Sequence, residues 1–260
     1  MEKFGLYPLS SGFSDDYSGD FDPRITNPFA TAAFRFGHSL IPEHVRLVTK
    51  EADGALKDDE IPLRDAFMDM DYLRSPHGVD ALLRGSLIEK SERGRNGTFP
   101  KRQRVNEIII LGNVDFLLRL ILHSFFTVDN HFVESIINFL FTDGNIGMDL
   151  IALNTQRGRD HGLPGYTQYR KICNVGDAKT FDDLATNISP KNIERLKSVY
   201  HNVEDIDLFI GMSAEEPENA LVGNTYRCLI ADQFSRLKKG DRYFYDLKDQ
   251  DGSFTAGKCT

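Results

Sequence analysis

A mainly α-helical fold is predicted by three observations. Two pairs, Asn27–Pro28 and Ser189–Pro190, place a polar capping residue directly before a proline, the arrangement that opens helices because the missing N–H of the proline costs nothing in the first turn. Apolar residues behind these pairs, and in further segments, return at helical spacing. Composition is the third: 260 residues of which 40% are hydrophobic suffice for a sizeable core. No internal repeat, low-complexity tract or linker interrupts the chain, so one domain is expected.

The elements follow in order. The first helix starts at Asn27 and carries Ala30, Ala33, Phe34, Gly37, Leu40 and Ile41 on one stripe until Pro42 bends or stops it. A second is predicted from His131 to Phe141, where Phe132, Val133, Ile136, Ile137, Leu140 and Phe141 form an inward stripe. A third passes through Leu150 and ends near Gly158 or Gly162, ahead of Pro164. Ser189 and Pro190 open another, with Ile193, Leu196, Val199 and Tyr200 on one face. The last spans about Asn224 to Lys239, using Leu229, Ile230, Phe234 and Leu237, and finishes on Lys238, Lys239 and Gly240, where cations suit the helix end. These stripes read as core.

Two motifs carry chemistry. In RFGHSLI, His38 lies within or beside the apolar stripe of the first helix, and Gly37 removes a side chain where a flat macrocycle would approach the backbone. Arg35, about one turn earlier, is placed to reach a carboxylate at the edge of such a ring. For a lone histidine the plain alternative is a core imidazole satisfied by a backbone carbonyl. In LNTQRGRDHGLPGY, the residues Leu150, Leu153, Asn154 and Arg157 share a helix face, so two apolar groups, an amide and a guanidinium converge. Taken by themselves, Asn154 and Arg157 read more readily as ordinary helix-surface groups. Asp160 and His161 look like a catalytic pair but are expected to hold the turn through local hydrogen bonds. No nucleophile elbow, phosphate loop or zinc-ligand spacing appears. His44, His77, His123, His131 and His201 are scattered, and surface or structural roles are expected for all five.

Together the two motifs resemble the animal-type haem peroxidases, the cyclooxygenase-like superfamily, most nearly its secreted arthropod and peroxidasin-like members. The resemblance covers about Asp22 to Ile88 and Thr127 to Asp251 and implies an incomplete, mainly helical haem peroxidase domain carrying the proximal haem side. It makes His38 the axial ligand of the iron of haem b, Asn154 the acceptor of the proton on the other imidazole nitrogen, Arg35 and Arg157 propionate contacts, and Leu150 and Leu153 part of the cofactor site. A neutral amide acceptor should leave the imidazole less electron-donating than a carboxylate partner would, giving a more oxidising haem. The implied activity is reduction of hydrogen peroxide coupled to oxidation of a halide, a phenol or a tyrosine-type donor. Whether a covalent haem ester forms stays open. So do two other readings: a haem-binding but inactive peroxidase-like protein, and a structural remnant without haem.

The resemblance also places Cys173, after LPGYTQYRKI, and Cys228, in TYRCLIADQF, at positions of a family disulfide. Two buried free thiols are the alternative, and Cys259 has no evident partner. Closing a bridge of that span stabilises by about 4 kcal/mol on the chain-entropy model. It belongs in an oxidising compartment, so the resemblance implies an extracellular location. Met1 to Asp22 contains no signal-peptide pattern. A net charge of −8 argues against nucleic-acid binding.

Three departures stand out. The distal histidine and arginine, the calcium site and the haem-ester carboxylates of the family belong to a region preceding the two motifs, so no distal acid or base is assigned and the chain is expected to be the carboxy-terminal part of a longer product. SFTAGKCT stops where the family continues. Between GVDALLRG and TVDNHF about forty residues intervene, and residues 89 to 126 are read as a non-family insertion, a translated intron. The apolar run Ile108 to Phe126 inside it is not expected to span a membrane, because Asp115 and Arg119 are costly in lipid. Of the two sequons, Asn96 lies in this insertion, and Pro190 behind Asn187 disfavours glycosylation there.

Overall fold

The computed structural model describes residues 13–75, 77–88, 128, 130–143, 146–218 and 220–248, the side chains of 87 and 88 excepted. In chain order its elements are α1 (Asn27–Thr31), a 3-10 helix (Ala33–Leu40), β1 (His44–Lys50), β2 (Leu56–Pro62), α2 (Leu63–Ala66), α3 (Asp71–Arg74), α4 (Gly78–Ile88), α5 (Glu134–Ile137), β3 (Leu140–Asp143) and β4 (Ile146–Met148). They continue with α6 (Leu150–Asp160), α7 (Tyr166–Ile172), a 3-10 helix (Phe181–Thr186), α8 (Pro190–Val199), a 3-10 turn (Val203–Asp205), α9 (Leu208–Ala214) and α10 (Asn224–Gly240). Helix predominates, as predicted. The predicted insertion at 89 to 126, with Asn96, His123 and the apolar run, and Cys259 lie outside the described residues. Among the described residues no helix is long and apolar enough to cross a membrane.

The chain divides into two compact units. The first comprises Met1–Phe36, Val128–Asn130 and Asn154–Thr260. Here α9 packs on α7 and α10, α1 on α10, and α8 on the 3-10 helix Phe181–Thr186. Tyr166, Leu184, Ile206, Met212 and Tyr226 are among the fully buried side chains. The starts predicted for α8 and α10 hold: Ser189 is the N-cap with Pro190 in the first turn, and Ile193 and Leu196 are buried. Val199 and Phe234, predicted on the inward stripes, are instead exposed at 72% and 42%. Lys238, predicted as a cation at the helix end, is buried against Asp246, with Nζ 2.6 Å from Oδ2.

A polar network threads this core. The Tyr166 hydroxyl donates to Glu215 Oε1 at 2.6 Å and accepts from Arg170 Nη1 at 3.0 Å, so a phenol links a buried cation to a buried anion. Thr225 supplies its N–H and its hydroxyl to the same carboxylate at 2.8 and 2.6 Å. Arg170 Nη1 also donates to Asn187 Oδ1. Asn187 is therefore an interior residue, 9% exposed, and its sequon is closed by packing as well as by Pro190. Gly211 and Gly223 make room for the network: a Cβ at Gly211 would stand 2.1 Å from the Tyr166 ring, and one at Gly223 2.4 Å from the Glu215 carboxylate. Cys173, at the end of α7, and Cys228, in α10, form a disulfide with Cα atoms 5.8 Å apart across 55 residues.

The second unit comprises Gly37–Thr127 and His131–Leu153. Its β1–β2 hairpin, antiparallel from His44↔Pro62 to Lys50↔Leu56, was not read from the sequence. Helix α4 lies on β1 so closely that a Cβ at Gly85 would meet the Arg46 carbonyl at 1.8 Å. The helix predicted over His131–Phe141 is corrected. Only Glu134–Ile137 is helical, and Leu140 begins a strand pairing with Met148. The run ends in the β-favouring sequence Phe-Leu-Phe-Thr, and short apolar runs cannot be assigned by periodicity alone.

Candidate functional site

Helix α6 starts where Asp149 Oδ1 accepts the amides of Ile151 and Ala152 at 2.8 and 3.0 Å. It stops in the predicted place: Gly162 takes φ +63°, the Leu163 N–H bonds the Gly158 carbonyl, and the Gly162 N–H bonds that of Arg159, each at 3.0 Å. This is a Schellman motif, which only a residue tolerant of left-handed backbone closes without strain. Between the two ends the predicted residues differ in exposure. Asn154 is 1% exposed, Leu150 is half-buried, and Leu153 and Arg157 are exposed.

Arg35 meets this helix. Its Nε donates to the Thr31 carbonyl at 2.8 Å and its Nη1 to Asn154 Oδ1 at 3.4 Å. Burial first, and the positive charge of Arg157 second, lower the Arg35 proton affinity. A guanidinium stays charged regardless, so the effect registers as like charges held near each other. Among the described residues no carboxylate stands at ion-pair distance from either one. A buried amide with two unneutralised guanidiniums is an environment suited to a bound anion carrying carboxylates.

In the second unit, His38 is half-buried on the 3-10 helix Ala33–Leu40. The single α-helix predicted from Asn27 is thus corrected: α1 stops at Thr31, Ala32 breaks it at φ −130°, and the following Ala-Phe-Arg-Phe-Gly run winds more tightly. Two aromatics and a glycine within five residues give weak α-helical preference. A Cβ at Gly37 would meet nothing within 4 Å, so the ground beside His38 is open on that side, as a flat ligand requires.

Two features were missed by sequence reasoning. His161 does not hold its own turn. Its Nδ1 lies 3.0 Å from Asn27 Oδ1, and Asn27 Nδ2 donates to the His161 carbonyl at 3.2 Å, whereas Asp160 takes the local bond, from Gln156 at 2.7 Å. Asn27 is free for this because Thr26 is the N-cap. Beside α6 lies a cavity of about 400 Å³ whose lining includes Asn154, Thr155, Arg159, Val199, Tyr200 and Asp207. There Asp207 takes two bonds from Arg159, at 2.8 and 2.7 Å, and one from the Tyr200 hydroxyl at 2.7 Å. Burial, then the Asp207 carboxylate, push the Tyr200 phenol up to about 12. No local pattern announces either contact, because each joins distant segments. Among the described residues no cluster of metal-ligating side chains occurs.

The framework that carries these residues is mainly helical. The animal haem peroxidase family matches residues 1–104 and 96–260, and the chain belongs to that family. It is 37% identical over 235 residues to peroxidasin homolog pxn-2 of Caenorhabditis elegans, covering 90% of this chain and 15% of that protein. It is 34% identical over 238 residues to the human peroxidasin homolog, covering 89% and 14%. Peroxidase A of Dictyostelium discoideum superposes with a TM-score of 0.69 at 28% identity, over 95% of this chain and 40% of that one. The chain thus spans a minor part of these relatives.

Proposed function

We propose that this chain contributes the proximal half of a haem peroxidase site, and that the protein reduces hydrogen peroxide while oxidising a halide, phenolic or tyrosine-type donor. The observation that carries the reading is the pair Arg35 and Arg157 near the buried Asn154 amide, with no carboxylate at ion-pair distance from either among the described residues. Haem b brings two carboxylates to such a pair, and the open ground at Gly37 suits its planar ring. When bound, haem supplies the redox chemistry that splits the peroxide bond.

The chain's own residues take the following parts. With haem bound, His38 would hold the iron through one ring nitrogen and Asn154 Oδ1 would accept the proton on the other, fixing the tautomer. Arg35, which donates to the same oxygen, would weaken it as an acceptor and leave the imidazole a poorer electron donor. Arg35 and Arg157 would take the propionates, and Leu150 and Leu153 would supply apolar contact. The Cys173–Cys228 bridge supports an extracellular setting. Residues 89 to 126 are proposed as an insertion, and a mature transcript retaining them in most copies would refute its reading as intron.

The test is titration of the chain with haemin. Wild type should develop a Soret band that His38→Ala shifts or abolishes, and a spectrum indifferent to His38 refutes the assignment. Peroxide-dependent phenol oxidation by the longest available product then separates an active peroxidase from a haem carrier.

A further inference from the structure

We infer that Asn27 and His161 are positioning residues: their paired contact sets the separation of Arg35 from Arg157, and with it the grip on the two carboxylates of the haem. This rests on the haem-binding reading above.

The Asn27 amide bonds through both of its polar atoms. Its Nδ2 donates to the His161 carbonyl at 3.2 Å, which fixes the orientation of the group. Its Oδ1 accepts the Thr31 hydroxyl at 2.9 Å and faces His161 Nδ1 at 3.0 Å. An amide oxygen cannot donate, so the imidazole carries its proton on Nδ1 and donates to Asn27. His161 is fixed in turn by the end of α6, its N–H bonding the Arg157 carbonyl at 3.0 Å.

The contact closes a ring. From Asn27 the chain rises through α1 to Thr31, whose carbonyl holds Arg35 Nε at 2.8 Å; Arg35 reaches Asn154 at 3.4 Å; and α6 runs from Asn154 past Arg157 back to His161. Both stretches of backbone are helical and hydrogen-bonded, so α1 and α6 are joined at two points with rigid rods between. Repulsion between Arg35 and Arg157 tends to spread the rods, and the Asn27–His161 pair opposes it. Because this pair is exposed to water, it adds little to global stability. Its effect falls on geometry.

The test compares haemin with haemin dimethyl ester, in which the carboxylates are masked, on the full chain. Wild type should prefer haemin by about tenfold, the worth of a good charge-assisted contact. Asn27→Ala and His161→Ala should reduce that preference to about threefold or less with the thermal midpoint nearly unchanged, and Asn27→Asp, which keeps the oxygen facing His161, should retain most of it. A preference equal to wild type in Asn27→Ala, or equal loss of affinity for both compounds, overturns the proposal. If wild type takes up no haemin, or His38→Ala changes nothing, the haem reading fails by itself. Hydrogen exchange at Arg35 Nε, followed by NMR without haem, still decides the clasp: the rate should rise severalfold in Asn27→Ala, and an unchanged rate overturns it.

Discussion

Arg35 Nη1 stands 3.4 Å from Oδ1 of Asn154, an amide that is 1% exposed. A cation thus donates to a buried neutral acceptor, so the charge of residue 154 decides whether Arg35 remains available to another anion.

Asn154→Asp should therefore neutralise Arg35 internally. Haemin affinity is expected to fall about tenfold, and the iron midpoint potential to move to more negative values, because a carboxylate would make the imidazole proposed as iron ligand more electron-rich. Haemin titration and spectroelectrochemistry read the two effects, and a more positive potential would contradict the assigned role.

Removing the bridge by Cys173→Ser with Cys228→Ser should cost about 2–5 kcal/mol, since it ties α7 to α10 across 55 residues. Thermal or urea unfolding of the double variant checks this. A loss below 1 kcal/mol would show that the contacts around the bridge already fix the two helices.

Tyr166→Phe strips one hydroxyl from between Arg170 and Glu215, leaving two buried charged groups each short of a hydrogen bond, and should cost about 2–3 kcal/mol. Gly211→Ala attacks the same place sterically, with its Cβ 2.1 Å from the Tyr166 ring, and should cost at least about 1–3 kcal/mol. Combined in one chain, the two changes should not add, because they share a partner. A double-mutant cycle by denaturant unfolding measures the coupling.

Alkaline stability offers an independent check. Burial and Asp207 raise the Tyr200 phenol to about 12, above its unfolded value near 10. Its neutral form is therefore the one the fold prefers. The contribution is complete below about pH 10 and is lost as pH rises through about 12. Tyr166 and Tyr226, both raised mainly by burial, act with the same sign. Unfolding midpoints should fall above about pH 10, and Tyr200→Phe should flatten that fall; an equally steep fall in the variant would place the effect elsewhere.

What was legible in the sequence were the features with local causes. Pro190 behind Ser189 marked the start of α8, and Gly162 the end of α6, because each residue acts on its own backbone. The two motifs put forward His38, Arg35, Asn154 and Arg157 as candidates, and of these Arg35 and Asn154 meet through a hydrogen bond. The β1–β2 hairpin escaped because Lys57, Asp58, Asp59 and Glu60 are all exposed, so the strand carries no apolar alternation. The burial of Lys238 and the Asn27–His161 contact escaped for another reason: a partner eight or 134 residues away leaves no mark on the spacing around either residue.

The interior position of Asn187 has a consequence for biosynthesis. Its side chain is held by Arg170 within the unit, so in a secreted product an oligosaccharide attached before folding would stand where that guanidinium must come to rest. In that setting Pro190 would guard maturation as well as start a helix: replacing it would open a nascent asparagine to sugar transfer, at a side chain the folded unit encloses.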